Sequence, residues 1–466
     1  GVGFRLRATP PGRTCSSVAA SRVQRVRSHH DKGRRRPSAR LNSRVTRARN
    51  GSDRGGRPRR KGDSERHTRD GGIATMTTLS MSAAAPRCFA VGSRAQSGGA
   101  RKATNAGRTA LVSRARGASL VPRAAFTPAG AKIAGVGMAV PTQYLTNDDL
   151  SELVDTNDEW IRTRTGIGKR HVISGDESLT SLAAEASKKA LAAAGVAAED
   201  LDLILLSTSS PDDLFGSACT VQAAIGATGA LAVDLTAACS GFVVGVVNGV
   251  HFIRGGEYKN VLVVGADVLS RYVDWRDRGT CILFGDGCGA MVLTSTPDPS
   301  DCCLLGFDMH SDGTGNHNLT AKFAYEAGIQ TAGKSKPTAE GGDAPSSRGA
   351  FCNIGMNGQE VFKFAVKTVP DTVSKSLEKA GMTSEDIDFL VMHQANQRII
   401  DTAAKRFGLG PEKVVSNIAK YGNTSAGSVP IAMAEAVEEG RIKKGDIVAT
   451  AGFGAGLTWA SAILRW

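Results

Sequence analysis

KKALAAAGVAAEDLDLILLS (residues 188–207) and SKSLEKAGMTSEDIDFLVMH (residues 374–393) are two versions of one pattern, and their spacing decides the fold. At an offset of 186, Leu191 matches Leu377, Ala194 matches Ala380 and Gly195 matches Gly381. Glu199 and Asp200 match Glu385 and Asp386, and Asp202 matches Asp388. Each version reads as an amphipathic helix, a glycine at its C-terminal end, a short acidic loop and an apolar strand. Further on, VLVVGA (261–266) falls on IVATAG (447–452), with an apolar helical stretch before each. The chain after residue 130 is therefore two copies of one α/β unit, residues 131–310 and 351–466. A loop rich in Gly, Ser, Thr and Lys, residues 311–350, joins them. Alternating helices and strands imply sheets covered by helices.

The 466 residues carry a net charge of +14, which at first sight points to nucleic acid. The charge is unevenly placed. Residues 1–130 hold 29 Lys and Arg against 5 Asp and Glu, while residues 131–466 hold 29 against 39. The folded part is thus acidic, and nucleic acid is not expected as its partner. The leader, residues 1–130, is rich in Arg, Ser, Ala and Gly and too poor in packing residues to offset its ordering entropy, so disorder is expected. Residues 1–75 read as upstream sequence ahead of a start at Met76. No Asp or Glu occurs from Gly71 to Asn147, so residues 76–130 match an organellar transit peptide, of plastid type, better than a nucleic-acid-binding arm. No run of 18 apolar residues is present to span a membrane. The nine cysteines show no paired metal-ligand spacing, and their odd number argues against a disulfide framework.

One cysteine stands apart. In LTAACSGFVVGVVNGVHFI (235–253), Cys239 lies between small residues and an apolar run that reads as a buried helix. It is either a small core hydrophobe or a nucleophile at a helix start. A helix N-terminus can draw a cysteine pKa from about 8.5 down to roughly 3.5–7.5. The repeat places Cys239 on Ser425, within YGNTSAGS, so Cys239 and Asn423 occupy equivalent turns entering equivalent helices. His393 lies just past the strand DFLVM, where catalytic groups of α/β folds collect. An imidazole and a carboxamide both donate hydrogen bonds and can together hold an anionic oxygen, as on an enolate left by a departing carboxylate. FGAGLTW (453–459) keeps its backbone uncovered, so the N–H of Ala455 can join that of Cys239 in an oxyanion hole. FGDGCGA (284–290) lacks the context of a dinucleotide fingerprint and reads as structural.

TAACSGF, GDGCGAMVL, HQANQRIID, YGNTSAGSVPIAM, FGAGLTWASAILRW and DTNDEWIRTRTGIGKRH together resemble β-ketoacyl-[acyl-carrier-protein] synthase III, from about residue 131 to the end apart from a longer loop near 320–350. The resemblance implies a thiolase-like five-layer αβαβα sandwich of two duplicated halves, assembled as a homodimer. It implies acetyl transfer from acetyl-CoA to Cys239, then decarboxylative condensation with malonyl-acyl carrier protein, with no cofactor beyond the carrier's phosphopantetheine. His393 and Asn423 would hold the malonyl thioester oxygen, and Cys239 and Ala455 the tetrahedral oxyanion. Ala455 stands where the family commonly has glycine. The resemblance further implies that Trp160 and Arg278 flank the CoA adenine, that Arg164 meets its phosphates, and that Asn396 lines the pantetheine path. Phe215 would come from the partner subunit and limit acyl length. Arg398, Lys405 and Arg406 share a helix face and would receive the acidic carrier protein. The location implied is the plastid stroma. The competing enzyme reading is a polyketide-synthase-like condensing enzyme using other CoA starters.

Overall fold

The computed structural model describes residues 128–324 and 350–466; the expectations for residues 1–127 and for the middle of the 311–350 loop lie outside them. Five strands form a first sheet: β1 Gly130–Ala139, β2 Leu203–Ser207, β3 Leu231–Leu235, β4 Asn260–Val268 and β5 Asp286–Thr296, in the spatial order β1-β5-β4-β2-β3. Five more form a second: β6 Leu304–Ser311, β7 Phe389–Met392, β8 Val414–Val415, β9 Ile447–Gly454 and β10 Thr458–Arg465, in the order β6-β10-β9-β7-β8. The two orders are the same permutation. In each sheet the first three strands pair antiparallel and the last three parallel.

The helices that matter here are α1 Asp158–Thr165, α2 Leu179–Ala194, α3 Ala218–Ile225, α4 Gly241–Arg254, α5 Gly358–Ala380, α6 Gln397–Phe407 and α7 Ser428–Glu438. α4 and α7 lie between the sheets. Phe242, Val246 and Val250 of α4 and Val429 and Met433 of α7 share one buried cluster with Val261 and Leu293 of the first sheet and Val448 and Leu464 of the second. Each such side chain contributes about 1.5–3 kcal/mol by leaving water. α2 and α3 cover the outer face of the first sheet through Leu182 and Val221. α5 and α6 cover that of the second through Val369 and Ile400. The result is the expected thiolase-like αβαβα sandwich. α2 and α5 stop at Gly195 (φ 65°) and Gly381 (φ 68°), the matched glycines of the repeat, both in the left-handed region that a Cβ disfavours. Among the described residues no helix is long and apolar enough to cross a membrane.

Three details differ from the sequence reading. β6 pairs with β10, so residues 304–310 belong to the second sheet and not to the first half. The described part of the 311–350 loop is not featureless. Leu319–Thr320 pairs with Gly355–Met356, and Phe323–Ala324 with Ala350–Phe351, ladders too short to leave a periodic signature. Finally, Leu203 pairs with Val261 whereas Phe389 pairs with Val448. The offset therefore grows from 186 at β2 and β7 to 187 at β4 and β9. Cys239 is equivalent to Ala426, and Ser425 to Ala238.

Candidate active site

The chain places its chemistry beyond the C-terminal ends of the parallel strands, where backbone groups and helix N-termini converge. Cys239 follows β3 in a tight turn, Ala238–Ser240, that runs straight into α4. Ala238 holds a φ of 46°, unusual for a residue with a Cβ. The turn aims the thiol back between the halves, where Cys239 is 7% exposed and its Sγ lies 3.3 Å from Ser425 Oγ. Ser240 makes no side-chain cap to α4, whose first N–H, that of Gly241, donates to Ala238 O. A helix N-terminus can draw a thiol well below its usual range. Instead burial pushes Cys239 up to about 12, opposed by the Ser425 hydrogen bond and reinforced by the Asp267 carboxylate. Burial thus favours the protonated thiol in the free protein.

His393 stands at the end of β7, its N–H tied to Ala451 O at 2.8 Å. Its ring is 2% exposed and packs edge-on against Phe453 at 5.2 Å. Burial holds its pKa down at about 3, so the imidazole is neutral at physiological pH. Nδ1 lies 2.7 Å from Ser428 Oγ, which also accepts from Gln394 N–H at 3.3 Å. With the Ser428 hydroxyl assigned as donor to Nδ1, the ring carries its proton on Nε2. His393 thus presents a donor.

Asn423 enters from the second half. Its N–H donates to Leu283 O, its carbonyl accepts from Gly285 N–H, and its Oδ1 accepts from Ser425 N–H at 2.9 Å. The carboxamide is fixed with Nδ2 as its available donor. FGDGCGA, read as structural, is what lets this turn approach. Side chains at Gly285, Gly287 and Gly289 would run into Tyr421 O, the Ile431 side chain and Pro430. Alternate residues from Gly285 into β5 carry no side chain on the face that meets this turn.

The oxyanion site emerges from the duplication. In the first half Asp267, on β4, accepts from Ala426 N–H at 3.2 Å. The equivalent of Ala426 is Cys239, and the equivalent of Asp267 is Gly454. A Cβ at Gly454 would sit 2.8 Å from Cys239 N. The glycine leaves open the amide that a carboxylate covers in the other half, and Ala455 is the next residue along.

Cys239 borders two cavities. The larger, about 910 Å³, is lined by Cys239, His393 and Asn423 and, toward solvent, by Trp160, Arg164, Arg278, Asn396 and Arg398. Arg278 stacks over the Trp160 ring at 4.8 Å. Asn396 caps α6 through Arg398 N–H and donates to Arg164 O at 3.1 Å. The smaller cavity, about 220 Å³, is apolar, lined by Leu269, Tyr272, Phe284, Leu319, Phe351 and Ile354 beside Cys239 and Ala455. None of these six was singled out by sequence. Phe215 lines neither cavity and is 94% exposed. The basic trio divides. Arg398 stacks on Phe362 at 4.9 Å at the cavity rim, while Lys405 lies off it and Arg406 pairs with Asp371 at 2.8 Å.

Sequence reasoning also missed Ser428 and Asp267, and had Ser425 only as the counterpart of Cys239 and Gly454 only as part of the uncovered FGAGLTW backbone. The one signal available was the run of hydroxyls in NTSAGS at the start of an otherwise apolar helix.

Comparison with known proteins is consistent with this geometry. Models of 3-oxoacyl-[acyl-carrier-protein] synthase III match residues 233–313 and, for its C-terminal part, 377–466. The chloroplastic β-ketoacyl-[acyl-carrier-protein] synthase III of Arabidopsis thaliana is 54% identical over 346 residues, 74% of this chain and 85% of that one. The enzyme of the same name from Microcystis aeruginosa is 54% identical over 334 residues, 72% of this chain and 97% of its own. The crystal structure of 3-oxoacyl-[acyl-carrier-protein] synthase III from Aquifex aeolicus, 42% identical, superposes with a TM-score of 0.64 over 72% of this chain and 100% of that one. The chain belongs to the β-ketoacyl-[acyl-carrier-protein] synthase III family of condensing enzymes.

Proposed function

We propose that this enzyme initiates fatty acid synthesis by joining acetyl-CoA to malonyl-acyl carrier protein, giving acetoacetyl-acyl carrier protein, carbon dioxide and CoA. The observation that supports it most is a single cavity with an Arg278–Trp160 stack at its mouth and Cys239, His393 and Asn423 at its floor. CoA enters with its adenine at that stack, its phosphates near Arg164 and its pantetheine arm past Asn396. Cys239 Sγ attacks the acetyl carbonyl, whose oxygen takes the N–H groups of Cys239 and Ala455. CoA leaves as thiolate and takes a proton from solvent. The malonyl thioester then places its carbonyl oxygen on His393 Nε2–H and Asn423 Nδ2, two neutral donors suited to the charge that develops as carbon dioxide departs. The enolate carbon attacks the acetyl group, and Cys239 is released. The acyl group rests in the apolar 220 Å³ cavity.

The acidic carrier protein docks at Arg398. β3 is an exposed sheet edge with Leu231 49% and Val233 37% exposed, near Leu214 at 83% and Phe215 at 94%. Such an unpaired apolar edge suits pairing with β3 of a second copy, and the dimer would carry Phe215 toward the partner's acyl cavity. Residues 76–130 direct the enzyme to the plastid stroma.

Incubation with labelled acetyl-CoA tests the assignment. Wild type is expected to carry label on Cys239, Cys239→Ala none, and His393→Ala and Asn423→Ala label without product. Label persisting in Cys239→Ala would refute the nucleophile. Faster turnover with free malonyl-CoA than with the malonyl carrier would favour the polyketide-type reading.

A further inference from the structure

Arg170 is among the largest side chains that the fold buries completely. It lies in the short ladder of Lys169–His171 with Tyr144–Thr146. Its Nη1 donates to Leu145 O at 3.1 Å, and its Nη2 to Asn147 Oδ1 at 2.7 Å and Ile282 O at 2.9 Å. None of these acceptors is a carboxylate, and Nε has no partner. Burial draws its pKa down to about 10, so it stays charged at physiological pH. An unpaired buried charge costs stability, and an apolar side chain of the same length would fill the space without that cost. What an apolar side chain could not do is hold three separate segments of the chain at once.

One of those segments carries the partner of Asn423. Ile282 precedes Leu283, whose carbonyl accepts from Asn423 N–H at 2.9 Å, and Gly285 N–H returns to Asn423 O at 3.0 Å. Phe284 and Asn423 thus form an isolated bridge outside both sheets. The stem of Arg170 packs against each side of that bridge. A Cβ at Gly285 would lie 3.2 Å from Arg170 Cβ, and one at Gly422 3.1 Å from it. Beside it, Gly168 N–H donates to Ala419 O at 3.1 Å, in the short helix Ile418–Tyr421 that leads into Asn423. On the other side stands Asn147, 1% exposed, whose Nδ2 donates to Asp158 Oδ1 at 2.9 Å and Ile167 O at 2.8 Å. Asp158 opens α1, the helix of Trp160 and Arg164.

We infer that Arg170 is a positioning residue for the Asn423 carboxamide. Its guanidinium and stem fix the turn at 282–285, and that turn holds Asn423 by both its N–H and its carbonyl. Without Arg170 the carboxamide keeps its chemistry and loses its place beside His393 Nε2, and a displacement of about 1 Å can cost about 10²-fold in rate. The inference rests on Asn423 as a donor to the malonyl thioester, and the test separates the two.

Cys239 is loaded with labelled acetyl-CoA at saturation, and malonyl-acyl carrier protein is then added to follow one round of condensation. Arg170→Met should slow condensation by about 10²-fold. Loading should stay within about threefold of wild type, because Asn147 keeps its own ties to α1. In an Asn423→Ala background, Arg170→Met should slow condensation by no more than about threefold further, since the group it positions is gone. Arg170→Lys keeps the charge but not the fork, so it should show the same pattern at about tenfold, and it carries the test if Arg170→Met does not fold. Condensation within threefold of wild type in both variants would overturn the inference. So would effects of Arg170 and Asn423 that multiply, or equal slowing of loading and condensation, which a merely structural role produces. Condensation at the wild-type rate in Asn423→Ala alone is a different result: it would refute the role of Asn423 and take the inference with it.

Discussion

The two halves make the same turn and put it to different uses. At β4 and β9 the first half has Asp267 and the second Gly454. At the helix starts the first has Gly241 and the second Ser428. At the ends of β2 and β7 the first has Ser207 and the second His393. The backbone geometry is shared to the point that Ala238 and Ser425 both adopt left-handed φ values, 46° and 52°. Ser207 Oγ donates to the backbone O of Gly241 at 2.8 Å, and His393 Nδ1 meets the side-chain Oγ of Ser428 at 2.7 Å, so equivalent residue pairs touch through different atoms. A twofold scaffold thus supplies positions, and a few exchanged side chains turn one side into a closed strut and the other into an open site.

Exchanging those side chains back is the sharpest way to test this view. Gly454→Asp restores the carboxylate of the first half over the Cys239 amide. The new side chain would also crowd Ala238, 3.1 Å from the added Cβ. Acetyl transfer is expected to fall by about 10²–10³, the cost of losing one oxyanion donor. Circular dichroism should stay that of the wild type. Retained activity would mean the oxyanion is held elsewhere.

The second exchange concerns pH. His393 is held at about 3 in the folded protein by burial, against about 6.5 in the unfolded chain. As pH falls below 6.5 the unfolded state takes the proton first, so folding stability is lost from there down to about 3, and nothing changes above 6.5. The loss attributable to this residue at pH 5 relative to pH 8 is about 2 kcal/mol. His393→Ser carries the residue of the first half and should remove this part of the acid sensitivity. Urea unfolding at the two pH values measures it, and an unchanged slope would show that the ring takes up its proton without unfolding.

The sandwich was legible because its duplication was written in apolar periodicity, helix-ending glycines and matched acidic loops. The floor of the site was legible for a related reason: Cys239, His393 and Asn423 are unusual residues at predictable strand ends and turns. What stayed hidden was defined by contact across the halves. Asp267 lies in an ordinary strand and acquires meaning only from Ala426, 159 residues away. Gly454 matters for the side chain it lacks. The growth of the offset from 186 to 187 is one residue of slack in a turn, too small for a local pattern to reveal. It nonetheless changes which residue is the true counterpart of Cys239. The raised pKa of the thiol was not legible because a helix N-terminus can be read from sequence and the depth of burial cannot.

The smallest expected effect is the most specific to the division between the halves. Ser428→Ala deletes the hydroxyl that fixes the His393 tautomer, and the first half shows that this helix can start on a residue without one. Wild type spends one hydrogen bond of ordinary strength, about 0.5–1.5 kcal/mol, on keeping the proton at Nε2. Without it the Nδ1–H tautomer becomes competitive, and the fraction of enzyme able to donate to the malonyl oxygen drops. Condensation should slow by about three- to tenfold, while acetylation of Cys239, which does not use the His393 proton, should proceed at the wild-type rate. The two half-reactions are separable by labelling the enzyme with acetyl-CoA before the carrier is added. Equal slowing of both would mean that Ser428 supports the turn as a whole. Slowing of condensation alone would place the hydroxyl where the exchange with Gly241 puts it, as the feature that makes an imidazole at this strand end a donor.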